Sequence, residues 1–214
     1  MTSKTRGQCR LCGRTFSKAQ MTQHIKSCLA KKGQGDHMLL VVQDLSRLFW
    51  VYMTVATSVD LMSFDYMLRD LWVECCDHMS AFSSGSVSYL ADPEPSWGMP
   101  GRELGMNVRL KTALQTTGTL KYQYDFGSTT ELTIRLISVN VAGNHGAMEI
   151  LARNELPVIP CLECEKPATT LVFKDWEPEP YCEACCGEVE EMALPVINSP
   201  RMGVCGYGGP SREP

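Results

Sequence analysis

Cys9, Cys12, His24 and Cys28 follow one another as C-x-x-C, eleven residues, H-x-x-x-C. Thiolate and imidazole donors in this order can close a tetrahedron around one metal ion. The spacing is close to that of a ββα zinc finger with Cys in place of the last His. Phe16, four residues after Cys12, and Met21, three before His24, stand where such a finger keeps its two small-core side chains. A segment this short cannot bury enough apolar surface to fold alone, so bound zinc would supply most of its folding free energy.

A second quartet lies near the other end: Cys161-x-x-Cys164, seventeen residues, then Cys182-x-x-Cys185. Each C-x-x-C can turn tightly enough to offer two thiolates to one ion, which predicts a four-Cys zinc ribbon over 157–194. An all-Cys site is coordinatively closed and structural, and two pairs at ribbon spacing favour metal over a thioredoxin-like redox role. Cys186 adjoins Cys185 as a substitute ligand or a spare. The chain holds eleven Cys, clustered in pairs, with neither a secretory signal nor an apolar run long enough to span a bilayer. That pattern belongs to a reducing compartment, so a cytoplasmic protein with two Zn2+ sites is expected, or a nuclear one if the host has a nucleus.

Charge divides the chain sharply. The formal net charge is −4, yet residues 1–35 carry eight basic side chains and no Asp or Glu, which leaves −12 on the remainder. A basic arm on an acidic body points to an anionic partner, of which DNA or RNA is the commonest, with a solvated lysine-rich terminus as the bland alternative. The finger helix is expected over 18–27, exposing Lys18, Gln20, Thr22, Gln23 and Lys26, with Arg10 and Arg14 on the knuckle before it. Gln suits adenine and Lys suits guanine or phosphate, but one finger covers about three base pairs and binds weakly alone. Residues 155–214 hold eleven Asp/Glu against four Lys/Arg, which favours protein contacts there rather than phosphate.

Between the quartets, 38–153 reads as an α+β domain with strands and helix packed in two layers. Residues 31–36 read as a linker. Apolar, β-branched runs at 39–44 and 48–56 predict two strands. Phe64, Met67, Leu68, Leu71, Trp72 and Cys75 share one helical face, with Ser63 as N-cap. A short strand at 87–90, a Pro- and Gly-rich loop over 91–107, and strands at 119–126 and 131–141 complete the reading, with Gly127 expected at positive φ in the hairpin turn. A short helix is expected at 188–193, and the Gly- and Pro-rich tail 195–214 reads as disordered.

Two stretches of this middle segment resemble the plasmid pRiA4b ORF-3-like family. In 49–82 a strand around Trp50 leads into the helix and then Asp77-His78-Met79-Ser80-Ala81-Phe82. In 120–127 the run Leu120-Lys121-Tyr122-Gln123-Tyr124-Asp125-Phe126-Gly127 is similar to the family's Y-x-Y-D-F-G hairpin. Relatives are described as passenger proteins of bacterial insertion elements, so the resemblance implies a fold and a mobile-element setting but no reaction. Where relatives continue the hairpin with Asp, Trp and His, this chain has Ser128-Thr129-Thr130-Glu131.

No nucleotide-binding loop, nucleophile elbow or zinc-protease motif occurs, so no catalytic residue is assigned. Cys75 reads as buried and inert, His78 as a hydrogen-bonded His at the helix end, and Cys205 as solitary. The combined expectation is a modular zinc protein that is nucleic-acid-associated or regulatory. The alternative is a protein–protein adaptor whose zinc sites are purely structural, with protein contacts through the middle domain and ribbon. An enzyme using the middle domain is the third possibility.

Overall fold

The apolar runs at 39–44 and 48–56 are strands buried on both sides, and the rest of the molecule is assembled around them. The computed structural model describes residues 5–93, 102–143, 146–175, 177–187 and 192–210. A hairpin, β1 (Arg6–Cys9) and β2 (Thr15–Ser17), leads into helix α1 (Lys18–Ala30), then β3 (Gln34–Asp44) and β4 (Trp50–Ala56). Helix α2 (Leu61–Leu68) runs on as a π-turn (Arg69–Val73) before β5 (Ser80–Ser84), β6 (Val87–Leu90), β7 (Arg102–Gly105) and the short helix α3 (Leu110–Leu114). Then come β8 (Thr119–Tyr124), β9 (Thr130–Val141) and β10 (Met148–Asn154). The C-terminal part holds β11 (Thr170–Lys174), β12 (Glu177–Tyr181), α4 (Glu183–Cys186), β13 (Ala193–Pro195) and a 3-10 turn (Val204–Gly206).

Ten strands form one sheet in the order β2-β1-β10-β4-β3-β9-β8-β5-β6-β7, antiparallel except for the parallel β6–β7 pair. This replaces the expected two-layer middle domain. The molecule is mixed α/β and mostly sheet, and the finger hairpin is its edge, with β1 paired to β10. Residues 31–36 are not a free linker, since β3 already begins at Gln34. The alternation along β3 and β4 explains why helices sit on both faces. Leu39, Val41, Trp50 and Tyr52 point to one face, where α1 buries Met21, Ile25 and Leu29. Met38, Leu40, Val42, Val51, Met53 and Val55 point to the other, against Phe64 and Leu68 of α2 and Leu110 and Leu114 of α3. Period-2 alternation thus serves two apolar cores, and each fully buried side chain contributes about 1.5–3 kcal/mol.

The predicted helix around 64–75 is shorter and begins earlier. Asp60 caps it, accepting from the Ser63 N–H at 2.8 Å, so Ser63 is not the cap. After Leu68 the backbone widens, with the Glu74 N–H bonded to the Arg69 carbonyl at 3.0 Å. In the β8–β9 turn the residue with positive φ is Asp125 (63°) rather than Gly127. Its carboxylate accepts from the Gly127 N–H at 3.0 Å, a local bond that lets Asp tolerate this conformation. Part of the predicted loop is the strand β7. The predicted helix at 188–193 falls mainly outside the described residues, and Ala193 begins β13.

Residues 195–210 are not disordered. Their Gly and Pro content implied a solvated tail, but they fold back over the middle of the chain. Ser199 and Arg201 are buried, the Ser199 hydroxyl donates to the Trp72 carbonyl at 2.7 Å, and Tyr207 is packed away from solvent. The C-terminal part carries its own three-stranded sheet, β12-β11-β13, beside a small cluster of Cys161, Val172, Tyr181 and Cys182.

Candidate metal centres

The first quartet is positioned by the β1–β2 turn and the inner face of α1. The Gly13 N–H bonds the Cys9 carbonyl at 2.7 Å, and Gly13 takes φ 73°, which curls the C-x-x-C so that both sulfurs face the helix. His24 and Cys28 stand one turn apart on that face. The four donor atoms lie within 4.8 Å of one another, with His24 Nε2 3.1 Å from Cys12 Sγ and 3.4 Å from Cys28 Sγ. A zinc tetrahedron built from ordinary Zn–S and Zn–N bonds has S···S edges of about 3.8 Å and S···N edges of about 3.5 Å. Phe16 stacks on the His24 ring at 4.0 Å between centroids, and Met21 is buried beneath the site. Burial holds the His24 pKa down, favouring the neutral imidazole that binds metal. Burial raises the Cys9 thiol to about 11, whereas the backbone hydrogen bond at Arg14 pulls Cys12 down.

The second quartet repeats this construction. The Glu165 N–H bonds the Cys161 carbonyl at 3.1 Å with Glu165 at φ 60°, and the Cys185 and Cys186 N–H groups both reach the Cys182 carbonyl. Cys161, Cys164, Cys182 and Cys185 lie within 4.8 Å of one another, with Cys164 Sγ 3.5 Å from both Cys182 and Cys185. Backbone N–H groups aimed at sulfur, first that of Cys182, bring the Cys161 thiol down to about 6. Cys182 is lowered chiefly by the Cys185 N–H, while hydrogen bonding to Cys164 raises Cys185. Sulfurs this close repel as thiolates, and a divalent cation reverses that repulsion.

A third quartet was not anticipated. Cys75, Cys76, His78 and Cys205 also lie within 4.8 Å of one another. Cys76 Sγ is 3.8 Å from Cys205 Sγ, which is 3.5 Å from His78 Nε2. So Cys205 is not solitary, Cys75 is not an isolated core thiol, and His78 is part of a cluster. The only signal in the sequence was the C-C-x-H string, because its fourth member lies far along the chain. Arg69 fixes this segment by donating to Glu74 Oε2 at 2.7 Å and to the His78 carbonyl at 2.7 Å, while itself anchored on Asp65. His78 Nε2 also stands 3.7 Å from Asp125 Oδ2, beside a recess of ≈ 290 Å³. A Cys-His-Asp relay needs the two ring nitrogens to serve the two partners separately, whereas here Nε2 faces both Cys205 and Asp125.

Of the expected nucleic-acid contacts, Arg10, Arg14, Gln20, Gln23 and Lys26 are exposed. Gln20 is partly committed, its Oε1 accepting from the Ser17 N–H and hydroxyl. Lys18 and Thr22 do not face outward. They are half-buried between α1 and the sheet, where Lys18 Nζ donates to Gln43 Oε1 and the Thr22 and Tyr52 hydroxyls meet at 2.5 Å. Both line a cleft of ≈ 670 Å³ that also includes Arg47, Tyr52 and Arg135. Burial, then Arg47 nearby, lowers the Lys18 ammonium to about 8.

No protein-family model and no curated protein matches the chain. Among solved structures, a protein of unknown function from Methanosarcina mazei is similar at 12% identity and a TM-score of 0.45, over 54% of this chain and 67% of that one. Among the described residues, three Cys/His clusters are compatible with metal binding. No helix among the described residues is long and apolar enough to cross a membrane.

Proposed function

We propose that the protein is a zinc-dependent nucleic-acid-binding module in which metal orders the finger and the finger–sheet junction holds phosphate. The observation that carries this reading is the cleft between α1 and the sheet, where Lys18, Arg47 and Arg135 converge with the hydroxyls of Ser17, Thr22 and Tyr52. Cations and hydroxyl donors in one recess suit a phosphate backbone better than a base edge, and Arg10 and Arg14 lie exposed on the knuckle at the other end of the β1–β2 hairpin. Zinc would be held by Cys9, Cys12, His24 and Cys28, and by the four ribbon cysteines. Its chemistry there is structural: it neutralises clustered thiolates and fixes the elements that carry them. The resemblance to insertion-element passenger proteins fits a role on mobile DNA and belongs to the same proposal.

Filter binding to single- and double-stranded oligonucleotides across a salt series tests it. Affinity should fall steeply with salt, and Lys18→Ala with Arg47→Ala and Arg135→Ala should reduce the log–log slope by up to about three. Binding that is absent or indifferent to salt would remove this reading and favour the protein–protein adaptor.

A further inference from the structure

We propose that Cys75, Cys76, His78 and Cys205 form a third zinc site, one that fastens the C-terminal segment to the ten-stranded sheet. It stands apart from the nucleic-acid reading. The Cys76–Cys205 and Cys205–His78 separations, 3.8 and 3.5 Å, match the S···S and S···N edges expected around zinc.

The backbone independently marks this cluster as a ligand site. Gly13 follows Cys12 and Glu165 follows Cys164, each with positive φ, and the third quartet repeats the device. Asp77 after Cys76 has φ 56°, and Gly206 after Cys205 has φ 69°. Cys205 itself sits at φ 52°, ψ 35°, a conformation that Gly would adopt without steric cost. A side-chain-bearing residue there needs something to hold it, and a metal–thiolate bond would do so.

The surroundings suit a thiolate. Arg201, fully buried, donates from Nε to Cys75 Sγ at 3.3 Å while its Nη2 pairs with Asp125 at 2.7 Å. Such outer hydrogen bonds orient a ligand and stabilise its charge. The same arginine belongs to the segment that Cys205 would tether. One ion would thus join the π-turn exit at 75–78 to residues 195–210, far apart in sequence.

Metal analysis of the full-length protein, purified under reducing conditions, decides the matter. Three zinc ions per chain are expected. The Cys76→Ser/Cys205→Ser double variant, altered only at two exposed thiols, should fall to two while keeping the native circular dichroism. Cys9→Ser is the control, losing one ion from a different site. Cobalt(II) substitution supplies a second reading, because the near-ultraviolet thiolate band should weaken in the double variant. Two ions in the native chain, unchanged in the double variant, would overturn the proposal. So would a Cys76–Cys205 disulfide found by non-reducing peptide mapping as the cluster's resting state.

Discussion

Replacing Arg201 with Met removes a charge from the interior while keeping most of the side-chain volume. The guanidinium is fully buried and reaches Asp125 Oδ2 at 2.7 Å, the Ser128 carbonyl at 3.0 Å and Thr130 Oγ1 at 3.1 Å, and it lies over the Tyr124 ring at 4.8 Å. Without it Asp125, itself buried, keeps its Gly127 N–H bond but loses its counter-charge. Breaking a buried pair from one side costs about 3–5 kcal/mol, because the remaining charge is stranded. For a domain of this size each kcal/mol corresponds to about 2–4 °C in Tm, so a fall of roughly 6–20 °C is expected. Arg201→Lys should recover little, since an ammonium cannot span the three oxygen acceptors. Adding Asp125→Asn to Arg201→Met should recover a large part of the loss by removing the stranded charge. Thermal melts at one fixed zinc concentration make the comparison, since bound metal itself shifts Tm. A fall below about 3 °C, or no recovery in the double variant, would refute the claim that this pair seats the C-terminal segment.

Gly7→Ala should destabilise by about 1–3 kcal/mol or more. A Cβ there would lie 2.2 Å from the Arg153 carbonyl oxygen and 2.5 Å from the Trp50 ring, so hydrogen exchange should show β1 parting from β10. Unchanged protection of β1 would contradict the hairpin's place in the sheet. Because the folded-state pKa of Lys18 is lowered to about 8, its charge is present below that pH and lost above it. Phosphate-backbone binding should therefore weaken as pH rises from 7 to 9, and Lys18→Met should flatten that dependence; an unaltered profile would exclude Lys18 from the contact. Cys161→Ser should expose the Cys161–Cys185 ribbon to protease while the ten-stranded sheet survives, since so small a cluster cannot hold the ribbon without metal. A ribbon that stays protected would show that zinc is not what orders it.

The two quartets were legible because ligand spacing within a local motif is a short-range property. C-x-x-C turns tightly whatever surrounds it, and i, i+4 brings His24 and Cys28 onto one helical face. The apolar runs at 39–44 and 48–56 were legible as strands for the same reason. Their double alternation, however, gave no sign of which helix would cover each face. That depends on β1 pairing with β10, where Gly7 lets the backbone approach Arg153 and Trp50. The same junction turned Lys18 and Thr22 from the expected exposed face of the finger helix into lining of a cleft. Composition misled at the tail, because Gly and Pro report local backbone freedom and not the partner that a buried Arg201 finds in Asp125. The sequence by itself determined the Cys/His spacing of two clusters, the charge step and the apolar strands, all of them readable along the chain without the fold. Only the tertiary structure decided that the finger extends the sheet, and that Cys205 meets Cys75, Cys76 and His78. Those contacts join residues far apart in the chain, which no local spacing records.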